Sequence, residues 1–168
     1  KQTDIGKSML AEGSTIKGKI GDNAITFPFA DETVNKKDIK LISGYGIRSK
    51  EDDADIITDE KRDTKNGEEM HHGVDLKVEE GTAILAVADG TVVWVGESDK
   101  GNAGYGVRIR HNKDFYTSYY HMKEQTTVKE GDKVSGGSKI GVVGSSGNAE
   151  TNHLHFEVWK GGSDKKKY

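Results

Sequence analysis

The chain has 168 residues, 32% of them apolar and 32% charged, with a formal net charge of −3, 22 glycines, one proline and no cysteine. That length suits one domain with a thin core, and the acidic balance, with no basic stripe interleaved with aromatics, argues against a general nucleic-acid binder. No apolar run is long enough to span a membrane, and without cysteine any metal site has to be built from histidine and carboxylate.

Residues 1–22 are polar and weakly patterned, and a tail or capping segment is expected there. The start at Lys1-Gln2-Thr3, with no charged-then-apolar leader, is expected of a mature protein or of a domain cut from a longer one. A short edge strand is predicted over 25–29, ending near Pro28, and another over 40–47, interrupted by Gly44 and Gly46. Residues 49–70 then gather nine acidic side chains with few apolar anchors, which reads as a long solvated loop. A calcium loop does not fit, because Ile57 and Thr58 stand where a calcium-binding helix–loop–helix needs an acid or Asn and then Gly.

From residue 71 the pattern is β throughout. Strands are predicted over 74–78, 83–88 and 91–95, with Asp89-Gly90 as a two-residue hairpin between the last two. Further strands are expected over 105–111, 115–121, 126–128, 139–144 and 153–159. No stretch keeps a helical period beyond two turns, and so many scattered glycines suit tight turns. The predicted fold class is all-β, built from antiparallel sheets.

Four of the six histidines fall in two tight clusters. In His71-His72-Gly73-Val74-Asp75, a His and an Asp four residues apart can converge on one ion, and Gly73 permits the turn that this requires. In His153-Leu154-His155, strand alternation puts His153, His155 and Glu157 on one face and Leu154, Phe156 and Val158 on the other. The two imidazoles then project together, about 7 Å apart along the strand. One can bind a metal while the other reaches a reacting water. Catalytic zinc sites use three protein ligands and leave a position open, lower the pKa of water and polarise a carbonyl, so hydrolysis of an amide near neutral pH becomes feasible. A base beside the water and a group at the developing oxyanion are also required, and His153 and His121 are the candidates.

His71-xxx-Asp75 with Gly73 between them, Tyr120-His121, and His153-Leu154-His155-Phe156-Glu157 together resemble the M23 (LytM/lysostaphin-like) metallopeptidases. Supporting stretches occur in order at 43–48, 86–92, 104–109, 131–134 and 140–147, so the resemblance covers about 41–161. It leaves 1–40 as a tail with a capping strand and 162–168 as a polar tail. The resemblance implies an antiparallel LytM-like (duplicated hybrid motif) β-sandwich or barrel with a loop-bordered groove. It also implies one zinc held by His71, Asp75 and His155, with His153 as general base and His121 holding or polarising the reacting groups. His72 falls on a variable position, and His111 has no assigned role. The implied activity is hydrolysis of peptide crosslinks or stem peptides of bacterial peptidoglycan by water activated by zinc and His153, in an extracellular or cell-wall-associated setting. The alternatives are a non-catalytic LytM-like domain that binds cell wall or a protein partner, and a carbohydrate-binding scaffold with incidental histidines. Two departures from the family pattern stand out: Thr151-Asn152 replaces the frequent Gly-Pro before the last motif, and no tyrosine lies between Gly46 and His71.

Overall fold

The computed structural model describes residues 19–20, 23–30, 39–43, 46–48, 69–98, 102–123 and 126–161. Of the tail or capping segment expected over 1–22, residues 1–18 and 21–22 lie outside these residues and 19–20 form a short strand; most of the acidic loop (49–68) and the end at 162–168 also lie outside them. The strands are β1 (Lys19–Ile20), β2 (Asn23–Ala24), β3 (Lys40–Ser43), β4 (Gly46–Arg48), β5 (Glu69–His71), β6 (Val74–Lys77) and β7 (Ala83–Leu85). They continue with β8 (Gly90–Glu97), β9 (Tyr105–Arg110), β10 (Phe115–Met122), β11 (Lys133–Val134), β12 (Lys139–Val142) and β13 (His153–Lys160). Among the described residues there is no helix, and all strand pairs are antiparallel. The protein is all-β.

A seven-stranded sheet ordered β11-β8-β9-β10-β13-β6-β3 forms the frame, with two-stranded sheets β12-β7, β4-β5 and β1-β2 beside it. Directly opposed residues of antiparallel neighbours share a face, so the registers sort the side chains. Leu76 pairs with Leu154, Val74 with Phe156, Phe156 with Tyr119, and Tyr119 with Val107. These residues, with Ile84 of β7 and Ile140 of β12, make one buried cluster. Each such aliphatic side chain removed from water contributes about 1.5–3 kcal/mol. On the opposite face Asp75 pairs with His155, His155 with Tyr120, Glu157 with Ser118, and Ser118 with Arg108. That is the polar face, and it carries the candidate site.

Several expected elements differ in the structure. Residues 25–29 form no regular strand: Thr26 N–H bonds the Val87 carbonyl and Leu85 N–H the Pro28 carbonyl, but Pro28 has no N–H with which to extend a ladder. The segment 40–47 divides into β3, on the large sheet, and β4, which pairs with β5. The last two residues of the expected loop 49–70 belong to β5. Residues 126–128 are not a strand. Asp89-Gly90 is not a hairpin turn, since β7 pairs with β12 while β8 pairs with β9 and β11. Gly90 instead opens β8, where a Cβ would sit 2.5 Å from Ile109 Cγ2 and 2.7 Å from the Arg110 carbonyl, so the glycine serves strand contact. Val158 shares the core face by register with Thr117 but is 52% exposed, unlike Leu154 and Phe156 on the same strand face.

Candidate functional site

His71 ends β5, Asp75 lies in β6, and His155 lies in β13 opposite Asp75. All three are buried. His155 Nδ1 is 2.7 Å from Asp75 Oδ1 and 3.1 Å from His71 Nε2, and His71 Nε2 is 3.2 Å from Asp75 Oδ1. Donors about 2.0–2.1 Å from one tetrahedral zinc lie roughly 3.3 Å apart, so an opening of a few tenths of an ångström would admit such an ion. Two neutral-capable imidazoles and a carboxylate also form the right donor set for a borderline divalent metal. The residues therefore fit a metal ion.

The electrostatics of the cluster agree. Burial pushes the Asp75 carboxyl up, but the charge and hydrogen bonds of His155 and His71 outweigh it and hold the group well below the usual carboxylate range. Burial pushes His155 down, whereas Asp75 and then Glu157 lift it to about 10. The metal-free cluster thus holds a proton that a metal ion would displace.

Gly73 lies in the bend between β5 and β6. A Cβ there would sit 2.5 Å from the Phe156 carbonyl oxygen, 2.9 Å from His155 Nε2 and 3.0 Å from Glu157 Cγ. The glycine is therefore required by close approach to β13.

His153 begins β13 and is 1% exposed. Its Nδ1 is 2.8 Å from the Thr151 carbonyl, which can only accept, so Nδ1 carries a proton and the neutral ring has its lone pair on Nε2. That Nε2 lies 3.8 Å from Asp75 Oδ1. Because a backbone carbonyl orients the ring, the replacement of Gly-Pro by Thr151-Asn152 leaves this arrangement intact. His121 shows the same logic: its Nδ1 is 2.8 Å from the Ser146 carbonyl, leaving Nε2 as an acceptor. Burial, then the nearby His153 and His155, push His121 down to about 3, so it is neutral at physiological pH. Its ring centroid is 4.5 Å from that of His153 and 6.0 Å from that of His155.

Strand alternation alone would send His121 to the face opposite Tyr120. A bulge between Tyr119 and Met122 prevents this, with His121 at φ 58°, a left-handed value found at no other non-glycine among the described residues. Tyr120 and His121 consequently both reach the site, and Met122 turns into the core.

The structure brings His71, Asp75, His121, His153 and His155 together. His72 is exposed and stacks on Trp159, and His111 is remote from the cluster, hydrogen-bonded to the Asp89 carbonyl and the Thr117 hydroxyl. Glu157 joins the cluster without an assigned role from sequence. Its Oε1 is 3.1 Å from His155 Nε2 and its Oε2 accepts the Trp159 indole N–H at 2.7 Å. The signal was its place in the alternation of 153, 155 and 157. At the His153 end of β13 an open depression of about 860 Å³ is lined by lysine and glutamate side chains of both signs, among them Lys40, Lys77, Glu80, Lys123 and Glu150.

An antiparallel β frame with a buried His/Asp/His cluster and two oriented imidazoles beside it defines a candidate metal-dependent hydrolase. Similarity to known proteins supplies the family: residues 69–167, more than half of the chain, match Peptidase family M23, and the chain belongs to it. It is 40% identical over 94 residues to the murein hydrolase activator NlpD of Escherichia coli, covering 54% of this chain and 24% of that protein. It is 38% identical over 89 residues to the DD-carboxypeptidase/endopeptidase Mpg of Neisseria meningitidis, covering 53% and 20%. The catalytic domain of lysostaphin from Staphylococcus simulans superposes with a TM-score of 0.61 at 26% identity, over 84% of this chain and 94% of that one. The chain spans less than a quarter of the length of the curated relatives it matches.

Proposed function

We propose that the chain is a zinc-dependent endopeptidase that hydrolyses crosslink or stem peptides of bacterial peptidoglycan, working outside the cytoplasm at the cell wall. His71, Asp75 and His155 are the proposed zinc ligands. The observation that carries the reading is the convergence of three buried donors with two further imidazoles whose Nε2 atoms are left as acceptors. A zinc ion held there supplies Lewis acidity, polarising the scissile carbonyl and making a nearby water acidic.

The chain's own residues supply the rest. His153, held by the Thr151 carbonyl, takes the proton of the attacking water at Nε2 and can return it to the leaving amine. His121 is neutral and accepts at Nε2, so it holds that water as a second acceptor; its proton is committed to Ser146. The mixed-charge depression beyond His153 is suited to an extended peptide.

A second reading has one observation in its favour: a relative at 40% identity is named as an activator of murein hydrolases. One experiment separates the two. Purified peptidoglycan of known crosslink type is incubated with the chain carrying one zinc, and newly released amine termini are counted. The endopeptidase reading expects release that stops on chelation and in His153→Ala while His153→Ala still binds zinc. Tight zinc binding with no release from a panel of peptidoglycans would leave the activator reading.

A further inference from the structure

We propose that Glu157 is the positioning residue of the metal centre: it selects the ring tautomer of His155, and Trp159 locks Glu157 in place. The inference rests on the zinc reading above.

Alternation along β13 puts residues 155, 157 and 159 on one face, so the three side chains form a row. The Trp159 indole N–H can only donate, and at 2.7 Å it occupies Glu157 Oε2. That bond turns Oε1 toward His155 Nε2 at 3.1 Å. As acceptor, Oε1 keeps a proton of His155 on Nε2, so the nitrogen whose proton a metal ion displaces, and whose lone pair it then receives, is Nδ1. Nδ1 is the nitrogen that faces Asp75 Oδ1 at 2.7 Å and His71 Nε2 at 3.1 Å.

Two features make this arrangement hard to replace. Glu157 is buried, and Gly73 lies against both partners, with a Cβ there 2.9 Å from His155 Nε2 and 3.0 Å from Glu157 Cγ. The outer side of the row is closed by His72, whose ring stacks on Trp159 at 5.8 Å and 26°. The chain segment that carries His71 is thus pinned to the residue that holds Glu157. A carboxylate behind a metal-binding imidazole fixes the ring and raises its basicity, and its loss typically weakens metal binding about 10–100-fold.

The test is zinc affinity by competition with a chromophoric chelator, measured on the whole chain and its variants, with circular dichroism to show that each is folded. Glu157→Ala is expected to weaken zinc binding by about 10–100-fold. Glu157→Gln keeps an oxygen that accepts from Nε2–H and is expected to recover most of that loss. Trp159→Phe frees the carboxylate and is expected to fall between them. Should Glu157→Ala fail to fold, nitrogen-15 NMR of the zinc-loaded wild type reads the tautomer directly and is expected to show the His155 proton on Nε2. A folded Glu157→Ala chain with zinc affinity within about twofold of wild type overturns the proposal, since losing a carboxylate that orients a ligand imidazole typically weakens binding about 10–100-fold. A His155 proton on Nδ1 also overturns it. If the wild-type chain binds no zinc, the metal reading fails and this one fails with it; a wild type that binds zinc with an unaffected Glu157→Ala overturns this one alone.

Discussion

Gly73→Ala isolates the packing that holds the candidate ligands. The added methyl would meet the Phe156 carbonyl oxygen at 2.5 Å, roughly 0.9 Å inside the onset of ordinary contact at 3.4 Å. Phe156 is paired on both sides, with Val74 of β6 and Tyr119 of β10, so that carbonyl cannot retreat without disturbing the centre of the sheet. The bend between His71 and Asp75 must move instead. Overpacking of this kind costs about 1–3 kcal/mol, and a ligand set holds its geometry only within about 0.5 Å. If the cost falls on the site, zinc affinity drops by about 5–150-fold, at about 1.4 kcal/mol per factor of ten. The assay is chelator competition alongside thermal denaturation of the metal-free chain. Gly81→Ala is the control: Gly81 has φ +84° with nothing within 4 Å of a Cβ, so the change strains the backbone by about 1 kcal/mol and leaves zinc affinity unaltered. Wild-type zinc affinity and an unchanged melting temperature in Gly73→Ala would refute the reasoning.

Other perturbations test the frame around the site. At His121, φ 58° reverses the usual strand preference, so His121→Gly is expected to be more stable than His121→Ala by about 1 kcal/mol in denaturant unfolding; an Ala variant as stable as Gly would contradict the left-handed backbone. Tyr119 is fully buried, and its hydroxyl accepts Val87 N–H at 2.9 Å, so Tyr119→Phe orphans that donor and is expected to cost about 1–3 kcal/mol by urea denaturation. Burial, the larger effect, lowers the His111 pKa from 6.5 against the opposing pull of Asp89. The unfolded chain therefore binds more protons at this residue, and stability present above pH 6.5 is lost as the pH falls below it. An NMR titration of the His111 ring is expected to give a midpoint below 6.5, and a midpoint above that value would reverse the sign.

Much of the site's chemistry is legible from residue types. The absence of cysteine restricts any metal to imidazole and carboxylate, and alternation along 153–157 puts two imidazoles and a carboxylate on one strand face because a β-strand has period two. The all-β class follows from the same periodicity and the many glycines. What periodicity does not contain is which strand lies next to which. His71 and His155 meet across 84 positions of chain through the pairing of β13 with β6, and Asp89-Gly90 resembles a hairpin only until β7 is found paired with β12. The bulge that turns His121 toward His153 breaks the rule by which its direction would have been read. Likewise, the need for glycine at 73 arises from atoms of residues 155–157, which a local reading assigns to a turn. Local patterns set what each side chain offers and which way it points on an ideal strand; long-range pairing and close packing decide which of those groups share a site.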